Sequence, residues 1–246
     1  MEKLDYNEFV PLLGSWAELF KPFIEGEECF KIYEKLKSEK EKIVPNSDST
    51  FRAFAESYPD TIKQVWYLMD PYPRRYKDKS NQATGIPLDC SNSVEMKMQP
   101  SLEQWYKAMK KDVGKVEESL SLSYLLEQGV LLLNTDLTCK LNKTASHVGL
   151  WEPFQRYFLE EIMGKKSGII YVLAGKASER MEKYIQPLGN YIWKCEHPMA
   201  AEHKHTDWDC KKIFSRTNKL LEEHKKTPII WDSAKYTNDL IYECPF

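Results

Sequence analysis

The sequence lacks the features that mark several large classes of protein. Its formal net charge is only −2 at pH 7, so its surface is not basic throughout, and any contact with nucleic acid has to come from a local patch. No apolar run approaches the ~20 residues that a transmembrane helix requires. The N-terminal stretch MEKLDYNEFV does not resemble a secretory signal peptide. We therefore expect a soluble protein that makes no contact with membranes.

The cysteines lack the spacing of a disulfide or metal-binding framework. All six are scattered without a C-x-x-C pair, which favours a reduced protein inside the cell, in the cytoplasm or the nucleus. One cluster of metal-binding residue types is present, and it consists of Cys195, His197, His203, His205 and Cys210. Its spacing is not that of a zinc finger. We expect no metal ion and no cofactor.

The length and composition are those of a globular protein. The 246 residues, 42% of them hydrophobic, are enough for one sizeable core. We expect a single domain over residues 1–246 that remains a monomer, with a helical segment at about residues 1–45. In that segment apolar side chains recur at helical spacing from Phe9 to Phe20, and a stretch rich in Lys and Glu follows at 35–42. The pattern predicts two helices with a solvated face.

Short, nearly continuous apolar runs predict strands that are buried on both faces. They are Thr61–Met69, Gly129–Asn134 and Gly168–Gly175, and Tyr191–Cys195 is a weaker fourth. Helical patterns lie near residues 102–111, 151–163, 178–185 and 211–224. Alternating strands and helices imply a parallel sheet. The predicted fold is therefore an α/β three-layer sandwich, in which helices flank a central four-stranded parallel sheet.

Polar residues follow three of these strands. Asp70 comes directly after the first, Asn134 ends the second, and His197 closely follows the fourth. Ligands of open parallel sheets bind outside the carboxyl ends of the strands. We therefore expect Asp70, Asn134 and His197 to meet in one site.

Around these residues the chain resembles the uracil-DNA glycosylase family in five places, in the family's order. The matching segments are Asp70-Pro71-Tyr72 with 81–85, Gln99-Pro100-Ser101-Leu102, 129–135 continuing to Ser146-His147 and Trp151-Glu152, His197-Pro198, and 227–231. The resemblance is to family 1 in divergent form, with some loops similar to the poxvirus branch, so a viral origin is compatible with it. It implies a hydrolase that flips uracil out of DNA and cleaves its N-glycosidic bond, leaving an abasic site for base excision repair.

The resemblance implies two catalytic residues, and their chemistry suits the reaction. Bond cleavage leaves positive character on the sugar, which the Asp70 carboxylate would stabilise while it activates water. Cleavage also leaves negative charge on the base. A hydrogen-bond donor at His197 would stabilise that charge, and removing such a donor typically costs roughly 3–4 kcal/mol.

Four residues are expected to hold the base. Asn134 offers a donor and an acceptor to the N3–H and O4 edge of uracil, and the ring of Tyr72 would exclude the methyl group of thymine. The backbone N–H of Met69, which replaces the family's glutamine, would contact a base oxygen. Leu88 stands, by count, where the family has a stacking phenylalanine, and the loss of a stack worth roughly 1–3 kcal/mol predicts weaker recognition.

The resemblance places DNA on three loops. The expected contacts are Pro100 and Ser101, Gly175 and Lys176, and Pro198, Met199 and Ala201. Ala201 occupies, by count, the position of a leucine wedge that fills the space of a flipped base, and alanine is too small for that role. We therefore expect a preference for single-stranded DNA. The segment 74–80, RRYKDKS, is predicted to be a mobile loop whose positive charges lie beside the pocket.

The sequence leaves several alternatives open. One alternative concerns Ser146-His147, which either supports the sugar of the substrate or makes only a structural hydrogen bond. The basic residues between Lys204 and Lys219, with Trp208 and Phe214 among them, form either a phosphate-binding surface or a solvated helix face. The departures at Met69 and Leu88 are also compatible with a catalytically weak module that binds DNA or proteins of replication or repair. A glycosylase for another modified pyrimidine is a third alternative.

Overall fold

The computed structural model describes residues 4–243, which form helices and strands in alternation. The helices are α1 (Tyr6–Leu13), α2 (Ala17–Ile24), α3 (Glu27–Lys37), α4 (Arg52–Ala55), α5 (Pro100–Val113), α6 (Ser123–Glu127), α7 (Glu152–Tyr157), α8 (Lys176–Glu179), α9 (Pro198–His203), α10 (Ile213–Glu223) and α11 (Ser233–Glu243). The strands are β1 (Ile43–Val44), β2 (Gln64–Leu68), β3 (Val130–Asn134), β4 (Cys139–Lys140), β5 (Ile170–Ala174) and β6 (Tyr191–Cys195).

Four of the strands form one parallel sheet, as predicted. The order of its strands is β3-β2-β5-β6. Every residue of β2, β3 and β5 is buried, because these strands are the apolar runs of the sequence and helices cover both of their faces. Strand β6 lies at the edge of the sheet, and most of its residues are partly exposed. This edge position explains the weaker apolar pattern of its sequence.

Neighbouring residues of β2 show that helices pack on both faces of the sheet. The ring of Trp66 packs against Trp105 of α5, with centroids 4.6 Å apart, and against Phe214 of α10. Successive side chains of a strand point to opposite faces, and the hydroxyl of Tyr67 accordingly donates to Gln155 of α7 at 2.9 Å. The α/β three-layer sandwich is confirmed.

The N-terminal segment contains three α-helices, so the prediction of two was wrong. Gly14 has a φ of +54° and closes α1, and a 3-10 turn from Gly14 to Trp16 leads into α2. The helices pack on the α7 side of the sheet, where Phe20 stacks on Phe154 with ring centroids 4.6 Å apart. The spacing of apolar residues predicted helix but did not show these breaks.

Two local features were not anticipated. Strands β1 and β4 form a small antiparallel pair, which is too short to leave a pattern in the sequence. The segment predicted to be a mobile loop is held as a hairpin, in which Tyr76 N–H donates to Ser80 and Gln82 N–H donates to Arg74. Its backbone is therefore held by hydrogen bonds within the segment.

The predicted helix at 178–185 is interrupted: α8 ends at Glu179, and a 3-10 turn follows from Glu182 to Tyr184. The helix at 151–163 continues beyond α7 as a π-helical turn, Phe158–Ile162. Within the described residues no helix is long and apolar enough to cross a membrane. Five cysteines are buried free thiols, and Cys244 lies outside the described residues.

Candidate active site

The carboxyl edge of the parallel sheet opens into a cavity of about 530 Å³. Asp70 lies two residues beyond β2, Asn134 is the last residue of β3, and His197 lies two residues beyond β6. All three line the cavity, as the sequence predicted. The predicted residues that also line it are Met69, Tyr72, Leu88, Pro100, Ser101 and Met199.

The loop that carries Asp70 is fastened to its neighbours. Thr135, directly after β3, donates its hydroxyl to the carbonyl of Met69 at 2.7 Å and its N–H to Leu68 at 3.0 Å. The N–H of Ala145 donates to Oδ2 of Asp70 at 2.6 Å. Burial raises the pKa of the Asp70 carboxyl, and the Ala145 hydrogen bond opposes that shift. The carboxylate is therefore held in a fixed position and is more basic than an exposed aspartate.

His197 is held as a neutral ring. Burial lowers its pKa to about 4. It stands at the N-cap of α9, where its Nδ1 accepts a hydrogen bond from the N–H of Met199 at 3.1 Å. Because Nδ1 is the acceptor, the proton of the neutral ring resides on Nε2. The site thus contains a neutral donor at His197 and a carboxylate at Asp70.

Gly175 sets the position of His197. Its φ is +92°, and a Cβ on this residue would lie 2.9 Å from the Cβ of His197, closer than real Cβ atoms approach. Its N–H donates to the carbonyl of Cys195 at 2.8 Å, which fixes the start of the loop that carries His197. Gly175 does not line the large cavity. The sequence prediction of a DNA contact missed this packing role.

Asn134 presents a free amide to the cavity. It is 8% exposed, and within residues 4–243 its side chain has no hydrogen-bond partner. Its carbonyl accepts from Gln155 at 3.0 Å, and Oε1 of Gln155 accepts from Tyr67. Gln155 therefore fixes the end of β3. Sequence reasoning missed Gln155, because nothing marks a lone glutamine in an amphipathic helix as a positioning residue.

Tyr72 is braced by Ser101. Its phenol oxygen lies 2.5 Å from the hydroxyl of Ser101 and 3.4 Å from the carbonyl of Leu88. Ser101 is only 1% exposed, and its hydroxyl contacts the tyrosine. The sequence prediction of a phosphate contact at Ser101 missed this bracing role. Leu88 is buried with a φ of +68°, a backbone conformation uncommon for a residue other than glycine.

The segment after His197 differs from the prediction. It was expected to contact DNA through Pro198, Met199 and Ala201, but it forms the helix α9 and Ala201 is 2% exposed within the hydrophobic core. Pro198 is also buried. A proline at the first helical position favours a helix, and the helix turns Ala201 inward, so the assignment of Ala201 by counting along an extended loop was wrong. Met199 and His203 instead line the cavity.

Two cations lie near the site. The side chain of Lys176, at the start of α8, is 96% exposed. Arg74, from the hairpin, lines the large cavity, and within the described chain its guanidinium forms no hydrogen bond or ion pair. Sequence reasoning placed positive charge in this hairpin but did not single out Arg74.

The structure bears on both segments with alternative interpretations. Nδ1 of His147 lies 2.8 Å from the hydroxyl of Thr138, which is a structural hydrogen bond, but its Nε2 has no partner within the described residues. Trp208 and Phe214 are buried against Trp66 and Trp105, so they offer no stacking surface. Lys204 forms an ion pair with Glu196 on the surface. The structure therefore favours a solvated helix face between Lys204 and Lys219.

The known proteins that this chain resembles in sequence and in structure are named uracil-DNA glycosylases. No family model matches the chain. The uracil-DNA glycosylase of Pseudomonas aeruginosa (strain UCBPP-PA14) is 30% identical over 232 residues, which cover 92% of this chain and 97% of the relative. That of Campylobacter curvus is 32% identical over 229 residues, covering 92% and 95%. The mimivirus uracil-DNA glycosylase structure superposes with a TM-score of 0.79 at 21% identity, covering 94% of this chain and 90% of the other.

The close approach of Gly175 and His197 gives a first prediction. Gly175→Ala will displace His197 and lower the single-turnover rate of base release about 10- to 100-fold, because displacements near 1 Å have effects of this size. Gly114→Ala is the matched control, since Gly114 has a similar φ of +90° but a Cβ on this residue would meet nothing within 4 Å. Both variants carry the same backbone strain, Gly175→Ala adds the contact with His197, and thermal unfolding confirms that each is folded. Equal rates in the two variants would contradict the role of Gly175.

Proposed function

Because this chain belongs to the uracil-DNA glycosylase family, and therefore hydrolyses the N-glycosidic bond of uracil in DNA, we propose that Asp70 and His197 are its catalytic residues. The observation that carries the proposal is that both residues line one cavity, Asp70 as a half-buried carboxylate and His197 as a neutral imidazole. Asn134 lines the same cavity with a free amide. Cleavage of the N-glycosidic bond leaves positive charge on the sugar and negative charge on the base, and a carboxylate and a hydrogen-bond donor stabilise these two charges.

The reaction proceeds by cleavage of the bond between C1′ of the sugar and N1 of uracil. The bonding electrons leave with the base, and Nε2–H of His197 stabilises the resulting anion by donating to a carbonyl oxygen. The Asp70 carboxylate stabilises the cationic sugar and accepts a proton from water as the water oxygen bonds to C1′. The products are free uracil and an abasic sugar. A neutral histidine suits this step, because it donates a hydrogen bond without first needing to be charged.

The remaining cavity residues recognise the base. Asn134 pairs with the N3–H and O4 edge of uracil, and the N–H of Met69 contacts another base oxygen. The ring of Tyr72, braced by Ser101, excludes a methyl group at C5. Leu88 supplies an apolar contact where an aromatic ring would contribute roughly 1–3 kcal/mol of stacking.

The DNA backbone passes over the rim of the cavity. Pro100 and Met199 line the rim, Lys176 projects from α8, and the free guanidinium of Arg74 faces the same opening. Positive charge at these points attracts phosphates locally, which a protein with a net charge of −2 needs. The protein acts inside the cell, where its buried free thiols stay reduced.

The catalytic assignment is tested with a single-uracil oligonucleotide and an assay for alkali-labile sites. Asp70→Asn should lower the single-turnover rate by about 100-fold or more, because it removes the base and the charge that stabilises the sugar cation. Asp207→Asn, at an exposed aspartate, should react at the unmodified rate. If the unmodified protein binds DNA but releases no uracil, or if Asp70→Asn reacts normally, the assignment fails and the binding-module alternative is favoured.

The pH dependence follows from the two perturbed groups. Asp70 acts as a carboxylate and its pKa is raised by burial, whereas His197 acts as a neutral ring and its pKa is lowered to about 4. Falling pH protonates the Asp70 carboxylate and, near pH 4, Nδ1 of His197, which then loses its hydrogen bond from Met199, so the single-turnover rate should fall on the acid side only. It should show no step near pH ~6.5, where an ordinary histidine titrates. A step near that pH that is abolished in His197→Gln would contradict the conclusion that the His197 ring is neutral.

We further propose that single-stranded DNA is the better substrate. The segment after His197 forms helix α9, which buries Pro198 and Ala201, so it is not an exposed loop whose tip could replace a flipped base in the stack. Flipping from a duplex breaks pairing and stacking, whereas a single strand avoids most of that cost. The ratio kcat/KM should therefore be several times higher for single-stranded uracil DNA than for a U:A duplex. Equal values would show that another side chain supports flipping.

A further inference from the structure

A second cavity of about 150 Å³ adjoins the active site. It shares Met69 and Asp70 with the large cavity, so the loop that carries the carboxylate forms part of both walls. Its other lining residues are Asp136, Ala145, His147, Val148, Lys176, Ala177 and Arg180. The proposed mechanism uses none of these side chains for chemistry.

His147 brings an unpartnered ring nitrogen to this cavity. It is 4% exposed, and its Nδ1 lies 2.8 Å from the hydroxyl of Thr138. The same hydroxyl oxygen accepts from the indole N–H of Trp151 at 2.8 Å. The other ring nitrogen, Nε2, is buried without a partner in residues 4–243.

Arg180 brings an unpartnered N–H donor. Its Nη2 forms an ion pair with Oδ2 of Asp136, but its Nε is buried and has no partner in the described part of the chain. Asp136 is itself fixed, because its Oδ1 accepts from the N–H groups of Gly149 and Trp151 at 3.0 and 3.4 Å. Two side chains with buried, unpartnered nitrogens thus line a cavity that also includes Asp70.

The charges around the cavity favour water as the occupant over a phosphate. Lys176 and Arg180 are positive and Asp70 and Asp136 are negative, so the formal charges cancel. Buried unpaired nitrogens are costly unless a hydrogen-bond partner meets them, and water supplies a donor or an acceptor without added charge. The volume has room for several water molecules, since each takes up about 30 Å³ in the liquid.

We propose that this second cavity holds the water supply of the reaction, and that His147 and Arg180 are positioning residues that direct a water molecule to Asp70. A nucleotide that fills the large cavity blocks access from that side, so the attacking water reaches the carboxylate from the second cavity. The water gives its proton to Asp70 and its oxygen bonds to C1′ as N1 departs. This inference rests on the proposed role of Asp70.

The test fills the second cavity with a larger side chain, in Ala177→Leu, and removes the polar ring of His147, in His147→Leu. Ala177→Leu and His147→Leu should each lower the single-turnover rate about tenfold, since the attacking water loses its position. Affinity for an oligonucleotide carrying uncleavable 2′-fluoro-2′-deoxyuridine should stay unchanged. His147→Gln should recover most of the rate relative to His147→Leu, because its side-chain amide offers both a donor and an acceptor near the position of Nε2. Ala234→Leu, at an exposed site on α11, is the matched control, and thermal unfolding confirms that each variant is folded.

The outcomes separate this inference from the proposed function. Unchanged rates in folded Ala177→Leu and His147→Leu would overturn the proposal that the second cavity supplies the attacking water, while leaving the role of Asp70 intact. A loss of DNA affinity that matches the loss of rate would also overturn it, by showing that the cavity binds a phosphate. Failure of the unmodified protein to release uracil would instead overturn the proposed catalytic residues.

Discussion

Parallel pairing of β3, β2, β5 and β6 is the constraint on which the site depends. It brings the carboxyl ends of all four strands to one edge, so that Asp70, Asn134, Gly175 and His197 become neighbours although they are far apart in the chain. The pairing is possible because helices cover both faces and keep the apolar strands from water. The same edge then has to be polar, since the strands end there and backbone groups need partners.

Burial at this edge gives Asp70 and His197 their different characters. Burial raises the pKa of the Asp70 carboxyl, and the hydrogen bond from the Ala145 N–H partly offsets this shift. Burial also lowers the pKa of His197 to about 4. One environment therefore yields an anion that is a stronger base and a histidine that is neutral. The Met199 N–H completes this arrangement by fixing the proton of His197 on Nε2.

The sequence was sufficient for features that depend on local pattern and strand order. Continuous apolar runs revealed the sheet, and the polar residues after them revealed Asp70, Asn134 and His197. Features that depend on how loops fold were not predictable. Ala201 was placed by counting along a loop that is in fact a helix, and the contacts of Ser101 and Gly175 depend on side chains from other parts of the chain. Gln155 and Arg180 lie in segments that no motif marks.

The protonation state of His197 tests the central claim most directly. Nitrogen-15 NMR of the imidazole, with His197→Gln used to identify its signals, reports which ring nitrogen carries a proton at each pH. The account predicts a neutral ring with the proton on Nε2 at neutral pH, and protonation of Nδ1 only near pH 4. A ring that is charged at neutral pH, or that titrates near the ordinary value of ~6.5, would contradict it.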